Sequence, residues 1–246
     1  QFVSKNPSQL QKRVISVCPV LDVPIQAFQV PNRNEIQGAI HHYLAELQSR
    51  LAQGLVPLGK NGKVTVFILG RYRNDRQYIP ESWQEHFGNL IDVRFKTIHT
   101  SKGDEADYVV LPGLVYRGFP SIKSDDALLE LVMPAGDTYP YSEERRLFYV
   151  ALTRARRSVA MFTVMGKNSP FLDEMVKEGA VNVTNVRGEP IQEDRCPICK
   201  IGVFVLRQGP YGEFRSCSSF PMCEHKPKPP RKTASQRASF SDRGPW

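Results

Sequence analysis

The 246-residue sequence has no run of about 18 apolar residues, which is the minimum for a transmembrane helix. Its first residues, QFVSKNPSQLQKRV, contain no basic segment followed by an apolar one, so no secretion signal is predicted. Only five cysteines are present, and four of them cluster between Cys196 and Cys223. These features favour a reducing compartment and no membrane contact, and we interpret the start of the sequence as the interior of a longer polypeptide.

Acidic residues are comparatively few, because 25 Asp and Glu stand against 33 Lys and Arg and leave a net charge of +8. A basic surface allows a polyanionic partner such as a nucleic acid, although an inert basic surface has the same composition. Hydrophobic residues make up 41% of the chain. At this length, that content is enough for one substantial core and a small appendage.

The sequence also lacks a complete phosphate-binding loop. Residues 54–61 (GLVPLGKN) come close to the Walker A pattern, but Asn61 stands where a Mg²⁺-binding hydroxyl is needed. Pro57 removes one backbone donor, and a predicted helix precedes the segment while a predicted strand follows it. A phosphate loop must lead into a helix, so we expect that this chain does not hydrolyse ATP alone.

Strand-like and helix-like patterns alternate over the first 186 residues. Strands are predicted at residues 14–17, 26–30, 64–69, 93–97, 108–111 and 158–164, and helices at residues 7–12, 34–53, 80–87, 125–131, 143–153 and 170–178. This alternation predicts an α/β domain with a parallel sheet over residues 1–186. In such a sheet, ligands are expected at the carboxyl ends of the strands.

The composition changes after residue 186. Residues 187–226 contain four cysteines among short strand-like pieces, and we predict that they form a small separate domain. Residues 227–246 are rich in Lys, Arg and Pro and are too poor in apolar residues to pack into a core, which predicts a disordered basic tail.

Residues 97–105 (TIHTSKGDE) place hydroxyls, a histidine, a lysine and a glycine in one loop after a predicted strand. Hydroxyls and Lys102 can hold phosphate oxygens, and Gly103 allows a close approach of the backbone. Glu105 can accept a hydrogen bond from a sugar hydroxyl. On these residues alone, a polar turn with a capping aspartate is the open alternative.

Residues 143–156 (EERRLFYVALTRAR) predict a helix that begins with two acids, which suits the helix dipole. Leu147, Val150 and Ala151 share its core-facing side. Arg154 follows at the C-terminal edge, where a permanently charged guanidinium can reach an oxyanion. Taken alone, the segment is also compatible with a charged helix that has a solvated face.

Together and in this order, the two segments resemble motifs V and VI of the UvrD/Rep-type superfamily 1 DNA helicases, especially members of the DNA helicase IV type. Residues 66–73 (VFILGRYR), 116–121 (YRGFPS) and 1–12 are similar to further stretches of that family, so the resemblance covers about residues 1–180. It implies that residues 1–186 are a RecA-like C-terminal (2A) motor domain. It also implies a bacterial, cytoplasmic ATP-dependent DNA helicase of 3′→5′ polarity.

The resemblance implies a role for individual residues. The implied contacts with single-stranded DNA are Thr97, His99, Ser101 and Lys102. Gly103 and Glu105 would face ATP, with Glu105 on the ribose. Arg154 would be the catalytic arginine finger on the γ-phosphate, whereas Glu144 and Arg145 would orient the motif rather than touch a ligand.

The chain departs from the family pattern because motifs I, Ia, II and III are missing and the arginine of motif IV would lie just before Gln1. ATP and Mg²⁺ would therefore be shared with an N-terminal (1A) lobe, and this chain alone would be inactive. A non-catalytic zinc-ribbon protein that binds single-stranded DNA is the alternative. RNA in place of DNA as the track also stays open.

The cysteine spacing predicts a structural zinc site. Cys196 and Cys199 form a C-x-x-C pair, and Cys217 and Cys223 follow after 17 residues. Four thiolates complete a tetrahedron and leave no open position for chemistry. Metal binding would supply most of the stability of so small a domain, and His225 is the competing fourth ligand.

Residues 209–217 (GPYGEFRSC) resemble the C-terminal zinc ribbons of bacterial type IA topoisomerases, which bind single-stranded DNA. The resemblance implies that Tyr211 and Phe214 stack on bases and that Arg215 and the basic tail neutralise phosphates. The aromatic residues are equally compatible with a role as the core of the ribbon.

Overall fold

The computed structural model describes residues 23–59, 61–121, 141–191, 196–199, 202–210, 212–218, 220 and 223–227. The chain divides into two compact units, Gln1–Gln192 and Glu193–Trp246, each with its own sheet. The elements predicted at residues 7–12, 14–17 and 125–131, residues 228–246 of the predicted tail, and Tyr211 lie outside the described residues. In the part of the chain that is described, no helix is long and apolar enough to span a bilayer.

The first unit contains a six-stranded sheet in which every pair of neighbouring strands is parallel. Its strands are β1 (Ile25–Val30), β2 (Val64–Gly70), β3 (Ile91–Thr97), β4 (Ala106–Leu111), β5 (Ala155–Val164) and β6 (Val183–Thr184). The spatial order is β3-β2-β4-β5-β1-β6. The prediction of an α/β domain with a parallel sheet is therefore confirmed.

Helices cover both faces of this sheet. They are α1 (Ile36–Ala52), α2 (Trp83–Phe87), α3 (Ser142–Leu152) and α4 (Pro170–Lys177), and 3-10 turns occur at Arg33–Glu35, Arg73–Tyr78 and His99–Ser101. Side chains of β2 alternate between the faces: Val66 and Ile68 join the core under α1 and α2, whereas Phe67 and Leu69 join the core under α3 and α4. The sheet is thus buried on both sides, which explains the nearly continuous apolar run of β2.

The long helix α1 follows the predicted apolar periodicity. It buries one face, made of Ile36, Ile40, Leu44, Leu47 and Leu51, against the sheet. Complete burial of each of these side chains contributes about 1.5–3 kcal/mol. The helix ends before Gly54, whose positive φ of 71° allows the chain to turn back.

Several predicted boundaries were wrong by two or three residues. The helix predicted at 80–87 begins only at Trp83, because Ser82 directly before it adopts a left-handed conformation with φ of 51°. Strands β4 and β5 begin earlier than predicted, at Ala106 and Ala155. These two alanines are partners in the parallel ladder, and this long-range pairing extends both strands beyond their apolar stretches.

The second unit contains an antiparallel hairpin. Strand β7 (Phe204–Gly209) pairs with β8 (Gly212–Cys217), with Phe204 opposite Cys217 and Gly209 opposite Gly212. The hairpin closes at Gly212, whose φ of 111° is outside the range of most other residues.

Candidate functional site

The segment that resembles motif V crosses the sheet from one edge to the other. It leaves β3 after Thr97, which is paired with Gly70, the last residue of β2. Thr97 therefore lies at the carboxyl edge, the side of the sheet where the parallel strands end. It enters β4 at Ala106, which is paired with Ala155, the first residue of β5. Ala106 therefore lies at the amino edge, the side of the sheet where the strands begin. The two ends of this short segment thus lie at opposite edges of one sheet.

This crossing corrects the expectation that all of the predicted ligand contacts lie at the carboxyl ends of the strands. Glu105 directly precedes β4 and Arg154 directly precedes β5, so both lie at the amino edge. The physical reason is the short connection after α3, in which only Thr153 and Arg154 separate the helix from β5. Thr97 and His99 remain at the carboxyl edge.

The carboxyl-edge half of the segment is held by its own hydroxyl groups. Thr97 Oγ1 lies 3.0 Å from Thr100 Oγ1, and the Thr97 amide donates to Thr100 Oγ1 at 3.1 Å. His99, Thr100 and Lys102 are exposed, and Thr97 is half-buried. The turn therefore presents an imidazole and an ammonium group to solvent on a locally fixed backbone.

Ser101 differs from its neighbours because its side chain is completely buried. Its hydroxyl donates to the Ile98 carbonyl at 2.7 Å. This bond closes the 3-10 turn, so Ser101 shapes the loop and its hydroxyl does not face solvent.

The amino-edge half of the segment turns at Gly103, where φ is +88°. A Cβ atom there would meet no heavy atom within 4 Å, so the backbone conformation, not crowding, favours glycine. The next residue, Asp104, accepts from Lys96 Nζ, and Glu105 is exposed at the end of the segment.

Arg154 lies against the end of this segment. Its Nη1 donates to the Asp104 carbonyl at 3.1 Å, and its Nε donates to the Val150 carbonyl at 3.1 Å. A third bond runs from Nη2 to Thr153 Oγ1 at 3.2 Å. All three acceptors are uncharged, so they fix the orientation of the half-buried guanidinium and leave its positive charge without a counter-charge from these groups. The Arg154 carbonyl also accepts from the Ala106 amide at 2.9 Å, which joins the two motifs through their backbones.

The opposite end of α3 is fixed at the carboxyl edge by a buried ion pair. Glu144 is 1% exposed and binds Arg71, which follows β2, with Nη2–Oε1 and Nε–Oε2 distances of 2.7 and 3.1 Å. The Ser121 amide also donates to Glu144 Oε2 at 3.0 Å, and Tyr72 donates its hydroxyl to Ser121 Oγ at 2.7 Å. The hydrogen bond to Glu144 raises the pKa of Arg71 above its ordinary value.

Arg145 joins α3 to α4. It donates to both carboxylate oxygens of Glu174, at 3.2 and 2.7 Å, and lies over the ring of Phe171. Glu144 and Arg145 are therefore both engaged within the domain.

Sequence reasoning did not single out Asp107 or Arg157. Asp107 is 5% exposed and accepts from the Thr65 amide at 2.9 Å, while Arg157 Nε lies 3.2 Å from its Oδ1. Arg71 lies within residues 66–73, whose resemblance to the helicase family gave it no individual role, and 73 positions separate it from Glu144. Pairs this far apart in the chain leave no periodic signal in a single sequence.

In the second unit, the four cysteines of the predicted zinc site converge. Their sulfur atoms all lie within 4.8 Å of one another, with Cys196 and Cys223 at 3.7 Å and Cys199 and Cys217 at 3.5 Å. A disulfide would need about 2.05 Å between sulfurs. A tetrahedron with Zn–S bonds of about 2.3 Å places its sulfurs about 3.8 Å apart, and the observed distances fit that arrangement.

Backbone contacts support this cluster. The Gly202 amide donates to Cys199 Sγ at 3.3 Å, and the Cys196 amide donates to the Gly202 carbonyl at 2.7 Å. His225, the competing ligand, instead packs its ring on Phe204 at 5.6 Å and accepts from the Cys217 amide through its carbonyl. Among the described residues, the convergent set of possible metal ligands is the four cysteines.

The register of the hairpin separates its two faces. Phe214 is opposite Arg207 on one face, whereas Arg215 falls on the other, the face of Cys217. Phe214 is 37% exposed and has Lys226 Nζ 5.4 Å from its ring centroid, whereas Arg215 lies over Phe204. The predicted contacts Phe214 and Arg215 therefore do not share one surface.

Comparison with known proteins finds similarity to DNA helicases. Residues 80–165 match the model of the UvrD-like helicase C-terminal domain. Over 175 residues the chain is 31% identical to DNA helicase IV of Escherichia coli, an alignment that covers 70% of this chain and 23% of that protein. It is 36% identical over 96 residues to a probable DNA helicase of Mycoplasma pneumoniae, covering 36% of this chain and 16% of that protein.

A third relative, a probable DNA helicase II homolog of Mycoplasma pneumoniae, is 27% identical over 151 residues, which cover 59% of this chain and 19% of that protein. The chain thus spans less than a quarter of the length of each of these relatives. The resemblance of the second unit to topoisomerase ribbons stays a prediction. For the first unit the resemblance to UvrD-type helicases is confirmed, and the chain contains a UvrD-like helicase C-terminal domain at residues 80–165.

Proposed function

We propose that this chain is the C-terminal motor lobe and zinc module of an ATP-dependent DNA helicase. One observation carries the proposal: the segment at residues 97–105 begins at the carboxyl edge and ends at the amino edge against Arg154. A single short segment thus links two surfaces on opposite edges of the sheet. Such a link is what a motor needs if nucleotide hydrolysis at one surface is to move a strand at the other.

The amino edge is the proposed nucleotide surface. Glu105 would accept from the ribose hydroxyls of ATP, and the exposed backbone at Gly103 would allow close approach. Arg154 would act as the arginine finger that stabilises charge on the transferred phosphoryl group. ATP and Mg²⁺ would be held mainly by a 1A lobe with the Walker A and B motifs, which are absent from the present sequence.

The carboxyl edge is the proposed surface for single-stranded DNA. Thr97, His99 and Lys102 would contact the strand, since their side chains are at least partly exposed on a turn held by hydroxyl bonds. Ser101 keeps an indirect role, because its buried hydroxyl closes the turn. A 3′→5′ direction of movement is part of the proposal and rests on the resemblance of the motifs.

The second unit would hold one structural Zn²⁺ ion through Cys196, Cys199, Cys217 and Cys223. The support is the separation of the sulfur atoms, which suits four thiolates on one tetrahedral ion. Zinc would supply the folding free energy of the unit, whose apolar core is small. Phe214 and the cations near it would then bind single-stranded DNA by stacking and charge, with Arg215 contributing from the other face.

The test is ATP hydrolysis stimulated by single-stranded DNA, in a polypeptide that joins this chain to a lobe with Walker A and B motifs. Arg154→Ala should lower turnover by about a hundredfold or more while ATP binding is retained. The matched control is Arg94→Ala, because Arg94 is also an arginine on the sheet but is 60% exposed and paired with Asp92. Undiminished turnover in Arg154→Ala would contradict the motor proposal and favour a non-catalytic, zinc-containing DNA-binding module.

A further inference from the structure

Lys96 and Asp104 form an ion pair across the segment at residues 97–105. Lys96 is the penultimate residue of β3 and precedes Thr97 at the carboxyl edge, whereas Asp104 lies two residues before β4 begins, close to the amino edge. The two residues are eight positions apart in the chain. Their side chains therefore close a ring around the turn between them and join the two ends of the crossing.

The sheet fixes the direction in which Lys96 points. Lys96 is the register partner of Leu69, whose side chain joins the core under α3 and α4. Register partners place their side chains on the same face of a sheet, so Lys96 extends over the face that α3 covers. Its Nζ atom lies 5.0 Å from the ring centroid of the buried Phe67. This contact with the ring holds the ammonium group where the crossing segment passes.

Asp104 makes its contacts through different atoms. Its carboxylate accepts from Lys96 Nζ, and its backbone carbonyl accepts from Arg154 Nη1 at 3.1 Å. The Asp104 amide also donates to the Ser101 carbonyl at 3.1 Å, which ties the residue to the 3-10 turn. A displacement of Lys96 would therefore move the carbonyl that orients the Arg154 guanidinium.

The exposure of the pair separates its role from that of a stabilising contact. Lys96 is 27% exposed and Asp104 is 47% exposed, and water screens the attraction between charges that remain this accessible. Such a pair adds little to the stability of the fold, unlike the buried pair of Arg71 and Glu144. It is instead distinguished by its position, because it connects the two ends of the segment that joins the proposed DNA and nucleotide surfaces.

We propose that Lys96 and Asp104 are positioning residues that couple DNA binding at the carboxyl edge to the orientation of Arg154 at the amino edge. The inference rests on the proposed function, in which Thr97 contacts the strand and Arg154 reaches the γ-phosphate. When a strand engages Thr97, the adjacent Lys96 shifts with it and draws the Asp104 carboxylate along. The Asp104 carbonyl then re-orients the guanidinium, so neither member of the pair needs to touch DNA or ATP.

The test uses the polypeptide that joins this chain to a lobe with Walker A and B motifs. Lys96→Met removes one charge and keeps an apolar stem over Phe67, and Asp104→Asn removes the other and keeps the carbonyl that binds Arg154. Asp92→Asn is the matched control, because Asp92 also pairs with a cation of β3 but lies outside the crossing segment. ATP turnover is measured with and without an oligodeoxythymidylate, together with the melting temperature and the affinity for the strand.

Each single variant should lower the stimulation of turnover by DNA about fivefold, while unstimulated turnover and the KM for ATP stay at the parental values. The double variant should be no worse than either single one, because both substitutions remove the same pair. Exchange of the charges, Lys96→Glu with Asp104→Lys, should restore most of the stimulation, and Asp92→Asn should behave as the parent does. A merely structural pair would instead lower the melting temperature and reduce turnover equally with and without DNA.

The outcomes separate this inference from the proposed function. If DNA stimulates the parent and both single variants equally, or if the losses add in the double variant, the coupling role is overturned and the motor proposal stands. If Lys96→Met alone loses stimulation and also binds the strand more weakly, Lys96 is a phosphate contact and the coupling role is wrong. If the parent hydrolyses no ATP with DNA, the motor proposal fails and this inference fails with it. Should a single variant not fold, the charge-exchanged variant decides.

Discussion

Arg71 and Glu144 form a hydrogen-bonded ion pair that fastens the first turn of α3 to the end of β2. Glu144 is 1% exposed and Arg71 18% exposed, so the pair is largely removed from water. The same helix ends at Leu152, and Arg154 follows two residues later at the opposite edge of the sheet. The pair therefore sets the position of the helix that delivers Arg154.

Removal of one partner should destabilise the first unit. Glu144→Gln leaves Arg71 buried without its counter-charge, and we expect a loss of about 3 kcal/mol in the free energy of unfolding. Chemical denaturation followed by circular dichroism measures this loss. The control is Asp92→Asn in the exposed pair with Arg94, where we expect less than about 1 kcal/mol. Similar losses at the two sites would show that the buried pair has no special role.

Replacing glycine with alanine should have opposite effects on the stability of the protein at two positions. Gly103→Ala places a Cβ atom on a residue with φ of +88° and should cost about 1–2 kcal/mol of stability. Gly38→Ala lies within α1, where alanine is favoured over glycine by about 0.5–1 kcal/mol, so that variant should be more stable than the parent. Thermal unfolding measures both, and a stabilised Gly103→Ala would disprove the argument from backbone conformation.

Chelation of zinc should unfold the second unit without unfolding the first. With four thiolates bound to one ion, the metal supplies the folding free energy of the small hairpin. We expect one zinc per chain by elemental analysis, and loss of hairpin signals in NMR spectra after a strong chelator is added. Cys217→Ser should lose zinc, whereas Cys18→Ser should retain it. Retention of hairpin signals in the metal-free protein would contradict the structural role.

The stability of the first unit should depend on pH through the titration of Asp75. Burial raises the pKa of Asp75, even though its side chain accepts from the Tyr72 amide. A raised folded-state pKa means that the folded protein binds this proton more tightly than the unfolded chain. This contribution to stability is fully present below the unfolded pKa and is lost as the pH rises through the folded pKa.

Asp75→Asn keeps the acceptor for the Tyr72 amide and removes the titration. At neutral pH the variant should therefore be at least as stable as the parent. Its advantage should shrink as the pH falls through the raised folded-state pKa of Asp75 and should change no further below the unfolded value of about 3.9. Urea titrations at several pH values measure the difference. An advantage that grows on acidification would show that Asp75 is instead stabilised in its charged form. Asp92→Asn, at a half-buried aspartate on β3, serves as the control.

Local patterns in the sequence were sufficient for much of the larger unit. The apolar spacing of α1 and the continuous apolar run of β2 predicted both elements, because a helix face and a buried strand must each match the periodicity of their own backbone. The rejected phosphate loop at residues 54–61 follows α1 and precedes β2, as the prediction required. The spacing of the cysteines likewise identified the residues whose sulfur atoms converge.

The three-dimensional arrangement determined on which edge of the sheet each predicted contact lies, and no local sequence pattern contains that information. Sequence reasoning placed the predicted ligand contacts at one edge of the sheet, whereas Glu105 and Arg154 lie at the edge opposite Thr97. Strand order and direction determine this separation, and both depend on contacts between residues that are distant in the chain.

The sequence by itself thus determined which residues can form helices, strands and a thiolate cluster, since those properties depend on near neighbours. Only the tertiary structure decided which groups meet, such as the side chains of Arg71 and Glu144, or the Arg154 guanidinium and the backbone carbonyl of Asp104. Burial within the fold also withdrew Ser101 from solvent while it left His99 exposed two residues earlier. The reason is that charge pairing and burial depend on distance in space, and separation along the chain does not reveal that distance.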